Sequence, residues 1–177
     1  MIGQKVAVVV VGKGRLGTCL AAFALILILT APGGRAGAVG PEAPALTAVA
    51  TDPEAETALS LGDLRALPWT TVATRTPFND GVVAYRGPLM RDVLHALGLR
   101  DAASVFCLAV NDYSVEIPTR DFHDWDVILA MEADGAPLPP RETGPLWIIY
   151  PVSDHPELGG RVYSERLIWQ LIRIEAR

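Results

Sequence analysis

The chain has 177 residues, which is the length of one domain and too short for two domains with separate cores. Half of the residues are apolar and a fifth are charged, so the composition excludes a wholly disordered chain. The first 38 residues hold four of the 15 basic residues and none of the 20 acidic ones, which leaves a net charge of −9 after Ala38. Because that acidic part contains no lysine and no basic stripe, we exclude nucleic-acid binding.

The first 38 residues have the organisation of a secretory signal peptide. A basic region ends at Arg15, an apolar region runs from Leu16 to about Ala31, and the small residues 36–38 form a cleavage site. We therefore predict export to the periplasm or the medium. The apolar stretch of about 16 residues is short of the ~20 needed to span a bilayer, so an uncleaved membrane anchor is the alternative.

The same leader also contains a glycine pattern that resembles a dinucleotide-binding turn. Apolar residues 6–11 are followed by Gly12, Gly14 and Gly17 in the spacing GxGxxG. That fingerprint requires an acidic residue roughly 20 positions later to hold the ribose. No carboxylate precedes Glu42, and the sequence therefore favours the signal peptide.

The exported part begins with a predicted linker and continues as a hairpin and a helix. Residues 39–58 are rich in Ala, Pro and Thr without a periodic apolar face, which predicts a flexible linker before a domain at 59–177. Strands are predicted at 67–76 and 81–86, with a turn at 79–81. A helix begins after Gly87-Pro88 and ends at Gly98, and its predicted buried face comprises Leu89, Met90, Val93, Leu94 and Leu97.

The second half of the domain reads as further strands with little helix. Strands are predicted at 105–110, 115–117, 127–131, 146–152 and 167–174, and a short helical turn capped by Thr119 extends to about Asp124. The strands and helices do not alternate regularly. This order predicts the α+β class rather than a doubly wound parallel sheet.

Most classes of catalytic site lack support in this sequence. The histidines His95, His123 and His155 lie 28 and 32 residues apart, which matches no zinc spacing, and no nucleophile motif is present. The carboxylates at 121, 124 and 126 favour a solvated turn over a cation site. Removal of the leader, which carries Cys19, leaves Cys107 as the only cysteine, so we predict neither a metal site nor an internal disulfide.

Polar residues at the ends of predicted strands are the candidates for a binding site. Loops at strand ends commonly form pockets, although the same residues also serve ordinary turns. The candidate ligand-binding residues are Thr74, Thr76, Asn111, Asp112, Tyr113, Arg141 and Trp147.

Several segments, in this order, resemble the oxidoreductase molybdopterin-binding domain, which has the sulfite oxidase-type fold. The resemblance covers about residues 60–177 and implies a single domain with a mixed sheet. It also implies that the strands carrying Asp112, Tyr113 and Trp147 are adjacent, so that these side chains converge on one concavity with Thr74 and Thr76 on its rim. The segments that carry it are 74–81, 85–98, 111–118, 127–130, 134–138, 144–151 and 169–171.

The chain departs from the family where the cofactor is held. Catalytic members ligate molybdenum through a cysteine before the first helix, whereas no cysteine lies between Cys19 and Cys107 here. Trp147 and Ile168 stand where members often carry basic residues that face the pterin phosphate. We carry over no catalytic residue and predict no cofactor, although the resemblance itself implies molybdopterin.

The sequence therefore predicts an exported accessory protein that binds a small-molecule ligand or an envelope protein partner. One alternative is a periplasmic molybdopterin-dependent oxidoreductase whose metal coordination lacks protein sulfur. A purely structural interaction domain is the other.

Overall fold

The computed structural model describes residues 43–50 and 56–177, all of which belong to one unit. Eleven short strands in this part of the chain form three sheets. The five-stranded sheet has the order β2 (Glu56–Ser60), β1 (Pro44–Val49), β11 (Leu171–Ala176), β5 (Ser104–Ala109), β6 (Ser114–Pro118). The other two sheets are β3 (Trp69–Thr74), β4 (Val83–Pro88), β8 (Glu132–Ala133), β9 (Ala136–Pro137), and the pair β7 (Ile128–Ala130), β10 (Trp147–Ile149).

The helices in the described part of the chain are short. They are α1 (Leu61–Ala66), α2 (Met90–Ala96), α3 (Asp121–Asp124) and α4 (Arg161–Glu165), with a 3-10 turn at Pro156–Gly159. Met90, Val93 and Leu94 of α2 and the following Leu97 are all buried, which confirms four members of the predicted helix face. Leu89, the fifth, is the N-cap residue before α2 and is only partly buried. No helix in the described ranges is long and apolar enough to cross a membrane. The signal-peptide prediction lies outside the described residues.

The segment predicted as a linker contains β1 and the start of β2, which corrects the sequence interpretation. β1 pairs in parallel with β11 and antiparallel with β2, and its Leu46 and Ala48 are buried in the core. The strand state of this Ala- and Thr-rich segment depends on pairing with residues about 125 positions later. A local propensity argument could not have found it.

Two smaller expectations also differ from the structure. The hydroxyl of Thr119 donates to the carbonyls of Ala102 and Ala103 instead of capping α3, so it ties α3 to the start of β5. The last strand begins at Leu171 rather than Leu167, because the residues before it lie beside β10 instead of in the five-stranded sheet. The N–H of Ile148 on β10 donates to the carbonyl of Ile168, and Trp147 forms an isolated bridge with Trp169.

Candidate functional site

A cavity of about 380 Å³ opens where three connections meet. These are the turn after β3, the hairpin between β5 and β6, and the segment that joins α4 to β11. Its wall is mainly apolar, and the apolar and aromatic residues in it are Pro77, Phe78, Ala109, Tyr113, Leu167, Ile168 and Trp169. We call it the aromatic cavity.

Aromatic rings in edge-to-face contact form part of the wall of the aromatic cavity. The Phe78 ring meets Trp169 edge to face with centroids 4.8 Å apart, and Trp169 in turn meets Trp147 at 6.1 Å. Trp147 is buried behind this wall, where its indole N–H donates to the carbonyl of Leu167 at 3.2 Å. Edge-to-face pairs of this kind are favourable, so the rings form a preorganised surface.

Tyr113 also lines the aromatic cavity and is held at both ends. Its backbone N–H donates to the side-chain oxygen of Asn111 at 3.2 Å, which fixes the hairpin turn in which Asp112 has a φ of 63°. Its hydroxyl donates to the carbonyl of Glu165 at 2.7 Å. Partial burial, with a smaller contribution from the Glu165 charge, raises the pKa of Tyr113, so the phenol is a neutral donor near neutral pH.

The charge at the aromatic cavity is neutralised within its own wall. Arg161 and Glu165 lie one helical turn apart on α4, and the guanidinium donates to the carboxylate at 2.7 Å. This hydrogen bond raises the pKa of Arg161. Arg161 is the only cation among the lining residues, so the cavity presents no unpaired positive charge.

The structure brings together only part of the predicted site. Asn111 and Tyr113 line the aromatic cavity, and Trp147 backs its wall, but Asp112 is exposed at the hairpin tip and does not line it. Arg141 is exposed in the loop before Gly144 and is also absent from the lining. The expected convergence of Asp112, Tyr113 and Trp147 therefore does not occur.

The two predicted threonines are buried and act within the fold. The Thr74 hydroxyl accepts a hydrogen bond from the backbone N–H of Ser153 at 3.0 Å. The Thr76 hydroxyl donates to the side-chain oxygen of Asn79 and accepts from the N–H of Phe78. Thr76 also lines a smaller neighbouring cavity of about 160 Å³. Thr76 therefore positions the segment that carries Phe78, Thr74 ties the end of β3 to Ser153, and neither lines the aromatic cavity.

Sequence reasoning did not select Phe78 or Trp169 as site residues. Phe78 leaves 49% of its surface exposed and Tyr113 leaves 43%, which is unusual for large aromatic side chains. Both Phe78 and Trp169 lie in segments that carried the family resemblance. Phe78 could have been selected because it is an aromatic residue that directly follows the polar end of a predicted strand.

The described part of the chain contains neither an accessible thiolate nor a cluster of metal-ligating side chains. Cys107 lies in the middle of β5 with none of its surface exposed, and burial raises the pKa of its thiol to about 12. It is therefore a neutral core side chain at physiological pH. Residues 43–50 and 56–177 contain no group of three or more His, Cys, Asp or Glu side chains that could hold a metal ion.

Comparison with known proteins gave one family and one fold. A family model described as the oxidoreductase molybdopterin binding domain matches residues 48–153, which is more than half of the chain. No curated protein matches. Among solved structures, the sulfane dehydrogenase SoxCD from Paracoccus pantotrophus is similar, with a TM-score of 0.55 and 16% identity over 74% of this chain. The match covers only 37% of the SoxCD chain, and at this identity the likeness concerns the fold alone.

Proposed function

We propose that this chain, which belongs to the oxidoreductase molybdopterin-binding domain family and has its α+β, sulfite oxidase-type fold, is a non-catalytic binding protein. In this proposal the aromatic cavity receives an apolar or aromatic group, either of a small-molecule ligand or of an envelope protein partner. The observation that carries the proposal is the exposed pair Phe78 and Tyr113 facing a mainly apolar cavity. Cavities of this size with an apolar wall and a few fixed polar groups suit small ligands.

The residues present do not fit a cysteine-ligated molybdenum. The metal requires an accessible thiolate, whereas Cys107 is a fully buried, protonated thiol. The only other cysteine in the sequence, Cys19, belongs to the predicted signal peptide.

The residues that line the aromatic cavity also do not fit the anionic phosphate of a pterin. Phosphate groups are usually held by arginine or lysine with free donors. Arg161 already donates to Glu165, and Ile168 and the buried Trp147 stand where family members often carry bases. A neutral, apolar ligand group is therefore the better match to this wall.

The proposal is tested with N-phenylnaphthylamine, a neutral aromatic dye whose fluorescence rises in apolar surroundings. We expect the full chain to bind this dye, and Phe78→Ala to weaken binding at least about fivefold because the ring forms part of the wall. Fluorescence titration gives the Kd. The matched control is Val82→Ala, since Val82 is similarly exposed at 53% but does not line the cavity.

Two results would contradict the proposal. Equal dye affinity in Phe78→Ala and Val82→Ala would show that the dye binds elsewhere. About one molybdenum per chain in protein made by a cofactor-producing host would favour the alternative, a molybdopterin-dependent oxidoreductase without protein sulfur at the metal.

Export is the second part of the proposal and rests on the order of basic, apolar and small residues at 1–38. N-terminal sequencing of protein from the periplasm or the medium should begin near Val39. Retention of the protein in the cytoplasm with Met1 intact would contradict export. A membrane-bound protein with an intact N-terminus would instead identify the segment as an uncleaved anchor.

A further inference from the structure

Among the described residues, one edge of the four-stranded sheet has no neighbouring strand. β3 is the terminal strand there, and the only described strand with which it pairs is β4. At its far end the edge is closed by Ser153, whose hydroxyl accepts from the backbone N–H of Arg75 at 3.0 Å. The open stretch therefore ends at Ala73.

The pairing pattern identifies which backbone groups face the open edge. In an antiparallel ladder the N–H and C=O of one residue point to the same side, and successive residues alternate. The carbonyls of Ala84 and Arg86 on β4 accept from Asp134 and Met131, so both residues face β8. Their partners on β3 are Ala73 and Thr71, which must turn their own N–H and C=O away from β4.

No described residue bonds to these outward groups. Among residues 43–50 and 56–177, no hydrogen bond reaches the backbone N–H or C=O of Thr71 or Ala73. Both residues are exposed. Such an edge can accept another strand, because an extended peptide satisfies the free donors and acceptors in register.

A groove of about 230 Å³ runs beside this edge and is acidic. Thr71 lies on one side, and the carboxylates of Asp124, Asp126 and Asp154 contribute to the lining. Asp126 is paired with Arg91 at 2.8 Å, whereas Asp124 and Asp154 have no ion-pair partner in the described part of the chain. The described lining contains no lysine or arginine, and its one histidine, His155, lies 3.3 Å from the carboxylate of Glu157, so the groove would favour a positively charged side chain.

An aromatic side chain in the groove, Trp125, indicates which positively charged side chain would bind there. Trp125 lines the groove and is held edge to face against Tyr163, with ring centroids 5.4 Å apart. Guanidinium groups stack on indole faces and also pair with carboxylates. Arginine therefore fits this lining better than a purely apolar side chain.

We propose that the groove along β3 binds an extended, arginine-containing segment of a partner protein as an added strand. Backbone hydrogen bonds to Thr71 and Ala73 hold the segment, and its arginine side chains face Asp124, Asp154 and Trp125. Charge complementarity selects this occupant over a second copy of the chain, because two copies would bring their own acidic grooves together. The groove is distinct from the aromatic cavity, so the inference does not depend on the proposed function.

The test uses the full chain and a fluorescein-labelled nonapeptide of alternating valine and arginine, with a glutamate-for-arginine peptide as its counterpart. Fluorescence anisotropy should show binding of the arginine peptide and none of the glutamate peptide. Thr71→Pro removes an outward N–H without removing a bond to β4, and should weaken binding about tenfold. Thr71→Val keeps the N–H and should bind as the unmodified chain does.

Variants that remove carboxylates distinguish binding of the peptide in the groove from its general attraction to an acidic surface. The double variant Asp124→Asn with Asp154→Asn should weaken binding about tenfold at low salt. Asp101→Asn changes an exposed carboxylate outside the groove and should leave the Kd unchanged. Hydrogen exchange at the amides of Thr71 and Ala73 should slow when the peptide binds, and this readout needs no variant.

Three results would overturn the proposal. They are equal weakening by Asp101→Asn and the double variant, unchanged exchange at Thr71 and Ala73 in the bound state, and a dimer of the chain that Thr71→Pro dissociates.

Discussion

Gly87→Ala should destabilise the domain by at least about 3 kcal/mol or prevent folding, which is the largest effect that we expect from adding a single methyl group. A Cβ at residue 87 would lie 1.9 Å from the carbonyl oxygen of Leu129 and 2.8 Å from its carbonyl carbon. These are backbone atoms of β7, a three-residue strand whose residues are all buried, so they cannot move aside without displacing the core. Urea unfolding followed by circular dichroism gives the free energy of unfolding.

Gly160→Ala is the matched control. Gly160 has an ordinary φ of −77°, and a Cβ there would meet nothing within 4 Å. Its substitution should change the free energy of unfolding by no more than about 0.5 kcal/mol. Equal stability of the two variants would mean that β4 and β7 do not approach as closely as the structure shows.

The sequence predicted the elements whose pattern is local. α2 was predictable because Met90, Val93, Leu94 and Leu97 repeat at helical spacing, and β5 because it is a continuous apolar run. β1 was not predictable, because Leu46 and Ala48 become a buried face only when β11 lies beside them. The close contact at Gly87 was also hidden, since it depends on the distance between two strands.

The residues of the candidate site also differ in whether a local sequence pattern could predict them. Asn111 and Tyr113 were predictable as the polar end of a buried strand, and both line the aromatic cavity. Asp112 is adjacent in sequence, but its positive φ at the hairpin tip leaves it outside the lining. Trp169 lines the cavity because residues 166–169 run beside β10, and no local sequence pattern indicates that contact.

A buried network of hydrogen bonds and one ion pair holds the segment 166–169 in place. Asp121 on α3 is 1% exposed, and its Oδ2 accepts from the guanidinium of Arg166 and from the hydroxyl of Tyr150 at 3.0 Å. Burial raises the pKa of Tyr150 far above its usual range, so the phenol remains a donor. Arg166 directly precedes Leu167, which lines the aromatic cavity and whose carbonyl accepts from Trp147. The network therefore connects the stability of the core to the shape of the cavity.

Asp121→Ala should destabilise the domain by about 3–5 kcal/mol, because it leaves the guanidinium of Arg166 nearly buried without a counter-charge. In variants that still fold, affinity for N-phenylnaphthylamine should also fall, since the segment after Arg166 loses its anchor. Urea unfolding and dye titration on the same samples measure both effects. Asp124→Ala is the control, because Asp124 lies on the same short helix with an exposed side chain and should change stability by no more than about 0.5 kcal/mol.

The double variant Asp121→Leu with Arg166→Met decides whether the charge or the packing matters. Replacing both members of a buried ion pair with apolar side chains costs less than breaking the pair, because no uncompensated charge remains. We therefore expect the double variant to be more stable than Asp121→Ala, with only the Tyr150 hydroxyl losing its acceptor. If the double variant is as unstable as the single one, the loss does not come from the ion pair. It then comes from the hydrogen bond between Asp121 and Tyr150 or from the contact of the Arg166 guanidinium with the Tyr163 ring, 5.2 Å from its centroid, which Arg166→Met also removes.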